Sequence, residues 1–200
     1  AAEVTPERVT LPAPGSARAW WLAVRPATLS AAVAPVAVGT ALASRVDAAD
    51  VAIAALCLLT ALGLQVTANL ANDVFDFARG ADGAERLGPP RAAAAGLLTP
   101  TQLHVGTAVA AMLSALSGLG LVALGGWPIA VLGVLSIAAA LAYTAGPAPL
   151  AYHGLGDVAT FAFFGPVAVV GSCFVQGGGA PPLAFVAALP VGALVTAILV

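Results

Sequence analysis

The chain is 200 residues long with a formal net charge of −2, and 60% of it is hydrophobic against 8% charged. A soluble domain carries about 25% charged residues, so this composition, with a mean hydropathy of +1.01, excludes a water-soluble fold and specifies an integral membrane protein. Lysine is absent and all seven cations are arginine; the net charge neither favours nor opposes a polyanionic partner, and no nucleic-acid partner is expected.

Residues 1–16 hold two Glu and three Pro and lack the charged n-region and short apolar h-region of a cleaved signal peptide. They read as a disordered tail lying at the surface, with a transmembrane domain over 17–200. Six apolar runs then approach the roughly 20 residues that a helical span needs: about Ala27–Ser44, Val51–Ala71, Leu103–Leu124, Trp127–Ala145, Val158–Val175 and Leu183–Val200. Spanning helices satisfy their own backbone, so the expected fold is an all-α bundle in the lipid bilayer. Pro35, Pro128, Pro166 and Pro190 interrupt these runs, which membrane helices tolerate where neighbours re-satisfy the backbone. Ala, Gly, Leu and Val dominate, predicting close helix contacts through small residues. Cys57 and Cys173 fall inside spans and read as apolar packing rather than a disulfide.

The second run ends in the most informative stretch, Gln65-Val-Thr-Ala-Asn-Leu-Ala-Asn-Asp-Val-Phe-Asp76. On a helix, Gln65, Asn69, Asn72, Asp73 and Asp76 share one face. Ionisable groups at membrane depth are costly and usually face a protein interior or a wet cavity. Asp73 and Asp76 can aim oxygens at a shared hard cation such as Mg²⁺. An ordinary helix terminus with solvated acids would not need so long a carboxamide-and-carboxylate stripe.

The loop Phe77–Pro100 that follows interleaves Arg79, Asp82, Glu85, Arg86 and Arg91. Acids that hold a cation beside arginine forks that bind phosphate oxygens suit a metal–diphosphate site; arginines serving only topology are the plainer reading. A second polar concentration, Tyr143 to Asp157, is broken by Gly146, Pro147, Pro149, Gly154 and Gly156, which predicts a compact capping or re-entrant loop. Within it, Asp157 is either a site residue or a helix N-cap, and His153 is a weaker candidate. Arg8, Arg18 and Arg25 precede the first run and Arg79, Arg86 and Arg91 follow the second, against Arg45 alone on the other side. That bias puts the N-terminus and both polar loops in the cytoplasm.

Trp21-Leu-Ala-Val-Arg-Pro-Ala-Thr-Leu29, Val38-Gly-Thr40, Asn69 to Asp76, Glu85-Arg-Leu-Gly-Pro89, Tyr143-Thr144 and Gly154-Leu-Gly-Asp157 together resemble the UbiA superfamily of membrane prenyltransferases. The resemblance runs from about Trp20 to Val200 and is greatest to the branch that prenylates 1,4-dihydroxy-2-naphthoate in menaquinone synthesis. It implies a UbiA-like bundle, six spans here and nine in the family, with a cytoplasm-facing cavity open sideways to lipid. It further implies a plasma (inner) membrane enzyme that transfers a polyprenyl group from polyprenyl diphosphate, losing diphosphate and carbon dioxide. Mg²⁺ ions are implied between two acidic motifs. Carried over by position, Asn72, Asp73 and Asp76 are metal ligands, joined by Asp82 because Gly80 stands where a third Asp is common. Arg25, Asn69, Asn72, Arg79, Arg86 and Arg91 are expected on the diphosphate, and Tyr143 and Asp157 on the acceptor. Ubiquinone-pathway relatives carry Tyr-x-x-x-Lys where this chain reads Tyr143-Thr-Ala-Gly-Pro147. The Gly-Leu-Gly-Asp157 ending instead favours naphthoate over 4-hydroxybenzoate. The second acidic motif and three further spans are expected beyond Val200. A secondary transporter would share small-residue helices and broken spans but is expected to show an inverted repeat and midplane polar groups. No such repeat is visible, and the acids lie at one membrane face.

Overall fold

The computed structural model describes residues 11–81, 90–177 and 179–199, which are helical with no strand among them. Of the tail expected over 1–16, residues 1–10 lie outside the described residues; at its end Gly15 N donates to Leu97 O at 2.8 Å. Ser16 then starts a helix that lies ahead of the first expected span and was not predicted, α1 (Ala17–Val24), by accepting from Ala19 N at 3.2 Å. Arg25 ends it in the left-handed region at φ 57°, where the fixed φ of Pro26 opens a 3₁₀ turn (Pro26–Thr28). The chain bends by 48° there before α2 (Ser30–Ser44).

Asp50 caps α3 (Val51–Ala78), accepting from Ala52 N at 2.7 Å and Ile53 N at 3.0 Å. This helix continues two turns past the apolar span, carrying both carboxylates on the polar face that the sequence pattern predicts. A reciprocal Thr99–Gln102 capping box opens α4 (Pro100–Gly125). Gly126, at φ 71°, takes the turn into α5 (Trp127–Ala142). The next span runs from α6 (Gly156–Ala162) through a π-helical stretch (Phe163–Val170) around Pro166 into α7 (Gly171–Gly177). Last comes α8 (Pro182–Leu199). All six expected apolar runs are helical. Among the described residues four helices are long and apolar enough to cross a bilayer by themselves, the bent α1–α2 pair makes a fifth, and α5 is a shorter apolar helix.

Small residues set the spacing. A Cβ on Gly63 would come within 2.8 Å of Ser114 Cβ, so α3 and α4 meet where no larger side chain fits. The α-carbons of Gly165 and Gly192 likewise hold the π-helical stretch against α8. Both cysteines are buried and unbonded to each other.

At one end of the bundle the Phe77–Pro100 connection folds back rather than dangling. Ala92, Ala93, Leu97 and Leu98 are buried with Ala19, Ala23, Leu70, Val74 and Leu103 in one core cluster. Removing Leu97 and Leu98 from water is worth about 2 kcal/mol each, which explains a docked loop where a linker would be exposed. Arg18, Arg25, Arg79 and Arg91 lie at this end, and Arg45 lies at the other, where Gln176 joins Asp50 and Thr40 across three helices.

Candidate active site

The polar stripe of α3 is buried as a face: Gln65, Asn69, Asp73 and Asp76 are 3%, 3%, 1% and 8% exposed. Such groups at membrane depth need partners, and each carboxylate finds a different kind. Asp73 accepts from two backbone N–H groups, Ala92 at 2.9 Å and Ala93 at 3.0 Å. It therefore docks the returning loop onto α3. Asp76, one turn on, pairs with Arg91 Nη2 at 2.7 Å through one oxygen and accepts from Tyr152 Oη at 2.6 Å through the other. The residue just before Asp73's backbone donors is thus the one whose guanidinium meets Asp76.

The Tyr143–Asp157 loop closes over the same end. Thr144 Oγ1 donates to Asn72 Oδ1 at 2.9 Å. Arg79 donates to the carbonyls of Thr144 and Gly146 and sits 5.7 Å from the centre of the Tyr152 ring. The structure therefore brings together Asn72, Asp73, Asp76, Arg79 and Arg91. Tyr143 is half-buried nearby, and a Cβ on Gly156 would lie 3.1 Å from its hydroxyl. Arg25 reaches the stripe by its backbone, its carbonyl accepting from Thr28 Oγ1 at 2.9 Å. Thr28 Oγ1 in turn accepts from Asn69 Nδ2.

Asp157 stands apart. It is exposed and borders a separate recess with Phe161, Ala193 and Thr196 on α6 and α8. It has no side-chain capping bond on α6 either. His153 is exposed and donates from Nδ1 to Pro149 O at 2.8 Å. Asp82, Glu85 and Arg86 lie outside the described residues. Sequence reasoning missed Tyr152 and Thr144 as partners of the stripe; the only signal was their place in a Gly/Pro-broken polar loop.

A cavity of about 410 Å³ runs from this end into the bundle. Its wall includes Asn72, Asn69 and Gln65 on α3, Tyr143, and the apolar residues Cys57, Leu64, Phe163, Phe164 and Val167. Cys57 to Asn72 covers roughly 22 Å of helix rise, so the cavity is long, apolar for most of its length, and polar where it meets the charged end.

The donor set of the stripe consists only of oxygens, the chemistry that hard divalent cations prefer. Among the described residues no three His, Cys, Asp or Glu side chains gather at one point. Asn72 Oδ1 and the Asp76 carboxylate each retain a lone pair beyond the hydrogen bonds they accept, and they fit such an ion as part of a shell shared with phosphate oxygens.

Residues 32–200 match the UbiA prenyltransferase family. The 1,4-dihydroxy-2-naphthoate octaprenyltransferase of Escherichia coli (strain K12) is 40% identical over 188 residues, covering 91% of this chain and 61% of that protein. The Mycobacterium tuberculosis protein of the same name is 40% identical over 90% of this chain and 62% of its own length. That of Bacillus subtilis (strain 168) is 31% identical over 89% and 57%. The chain thus spans about three fifths of the length of the curated relatives it matches.

Proposed function

The chain belongs to the UbiA prenyltransferase family, a multi-pass membrane protein, and from that premise we propose that it transfers a polyprenyl group from polyprenyl diphosphate to 1,4-dihydroxy-2-naphthoate. The observation that carries this reading is a long apolar cavity whose wall includes the half-buried Asn72, beside the buried Asp73 and Asp76 with Arg91 paired to Asp76. The names of the relatives supply the acceptor.

The donor's tail would lie along the apolar wall and its diphosphate at the charged end. Arg91 and Arg79 would neutralise departing phosphate oxygens. Asn72 and Asp76 would hold a divalent cation, taken here as Mg²⁺, which when bound supplies charge stabilisation to the leaving group. Asp82 and Arg86 are assigned to the same site by sequence alone. The allylic C–O bond breaks with its electron pair leaving on diphosphate, and a ring carbon of the acceptor forms the new C–C bond. Loss of carbon dioxide restores the aromatic ring and gives demethylmenaquinol. The apolar wall keeps water from the allylic cation, and Tyr143, which lines the cavity, would orient the acceptor. The arginine-rich end is assigned to the cytoplasmic face of a bacterial plasma membrane.

The deciding measurement is diphosphate release from a polyprenyl diphosphate by the full-length protein with and without dihydroxynaphthoate. Release that depends on the acceptor and on Mg²⁺ supports the reading. Release independent of the acceptor, or none, overturns it.

A further inference from the structure

Gln65 is 3% exposed, lines the cavity, and carries an amide oxygen with no hydrogen-bond partner among the described residues. Buried acceptors are rarely left unpaired, because each forfeits its hydration without replacing it. The neighbours fix which amide atom is which. Asn69 donates from Nδ2 to the Val24 carbonyl at 2.7 Å, so its Oδ1 is an acceptor. The Thr28 hydroxyl spends its proton on the Arg25 carbonyl at 2.9 Å, so it too accepts. Both acceptors face the same Gln65 nitrogen, at 3.4 Å from Asn69 Oδ1 and 3.2 Å from Thr28 Oγ1. Turning the carboxamide over would set its oxygen against two acceptors. Oε1 is therefore held as a pure, buried and unsatisfied acceptor on a residue of the cavity wall.

We propose that Gln65 Oε1 is a specificity determinant, accepting a hydrogen bond from a phenolic hydroxyl of the aromatic acceptor; this rests on the reading of the cavity as the prenyl-acceptor site. Gln65 stands two turns from Asn72, about 10 Å of helix rise, a distance that a bicyclic hydroxyaromatic acid spans. The same wall includes the rings of Phe163 and Phe164, which suit an aromatic plane. An apolar tail has no proton to give this oxygen, whereas a hydroxyl on a flat ring does. A site built around a buried acceptor discriminates strongly against analogues that lack the matching donor.

The test is equilibrium binding to the purified full-length protein, under anaerobic conditions, of 1,4-dihydroxy-2-naphthoate and of its 1,4-dimethoxy analogue. Wild type is expected to prefer the dihydroxy compound about tenfold. Gln65→Leu and Gln65→Met are expected to bring that ratio close to one while polyprenyl diphosphate binding stays within about twofold. If both variants fail to insert, Thr28→Val, which unties the carboxamide, serves instead, and the ratio is again expected to fall. A preference that persists in these variants overturns the proposal, as does a wild-type ratio near one. A persistent ratio with a lowered thermal midpoint would identify the partner of Oε1 as another part of the protein. Failure of wild type to bind either compound overturns both this contact and the acceptor reading. Wild-type preference without prenyl transfer removes the proposed reaction and leaves the contact standing.

Discussion

Asp73 and Asp76 look equivalent in sequence, yet their surroundings give them different work. Asp73 has both oxygens on backbone N–H groups, so replacing one oxygen by an amide nitrogen sets donor against donor. Asp73→Asn is expected to cost about 1–3 kcal/mol, read as a lowered thermal midpoint in detergent. Asp76 holds a guanidinium whose side chain is only 10% exposed. Asp76→Asn is expected to cost on the order of 3 kcal/mol by leaving Arg91 without this carboxylate. Adding Arg91→Met should recover most of that stability. Diphosphate release should fall at least about 100-fold in the single variant and stay low in the double. Recovery of release in the double variant would remove Asp76 from the chemistry. The carboxylates and their carboxamide neighbours were legible because a helical period aligned them. Tyr152 and the Ala92–Ala93 amides were not, because backbone donors carry no sequence signature and the contacts cross long stretches of chain.

At the level of elements, each apolar run became a helix, since the period and length of the pattern are local. Two features escaped. The helix α1 depends on Ser16 as cap and on Arg25 and Pro26 as stop, and its 8 residues are too few to read as a span. The continuation of α3 through Asp76 was legible as a helical face, but the burial of its acids by the returning loop was not, because that contact is tertiary. Contact between α3 and α4 gives a sharper test. A Cβ at Gly63 would meet Ser114 at 2.8 Å, so Gly63→Ala is expected to cost about 1–3 kcal/mol by forcing the helices apart. Ser114→Gly in the same chain relieves the contact but loses the Ser114 Oγ bond to the Thr60 carbonyl, and should restore part of the thermal midpoint. No loss in Gly63→Ala would show that these helices are free to separate.

For the whole molecule, membrane insertion and one charged end followed from composition and arginine placement, and the family followed from motifs spread over the chain. The cavity was not legible, because its wall draws single residues from helices far apart in sequence. If the Gly154–Asp157 segment and the cavity together select a naphthoate acceptor, the full-length protein should prenylate 1,4-dihydroxy-2-naphthoate at least about tenfold faster than 4-hydroxybenzoate. Comparable rates would make it a general aromatic prenyltransferase. The two carboxylates also imply a timetable. Both N–H groups that Asp73 accepts from have been synthesised by Ala93, before α4 begins, whereas Tyr152 reaches Asp76 only after α4 and α5 exist. At about 5–20 residues per second, several seconds separate the two events. Ribosome-bound chains arrested just after α5, with Leu97–Leu98 clear of the exit tunnel and Tyr152 not yet made, should therefore already protect that segment from protease in an Asp73-dependent way, while the charged end still waits for its tyrosine.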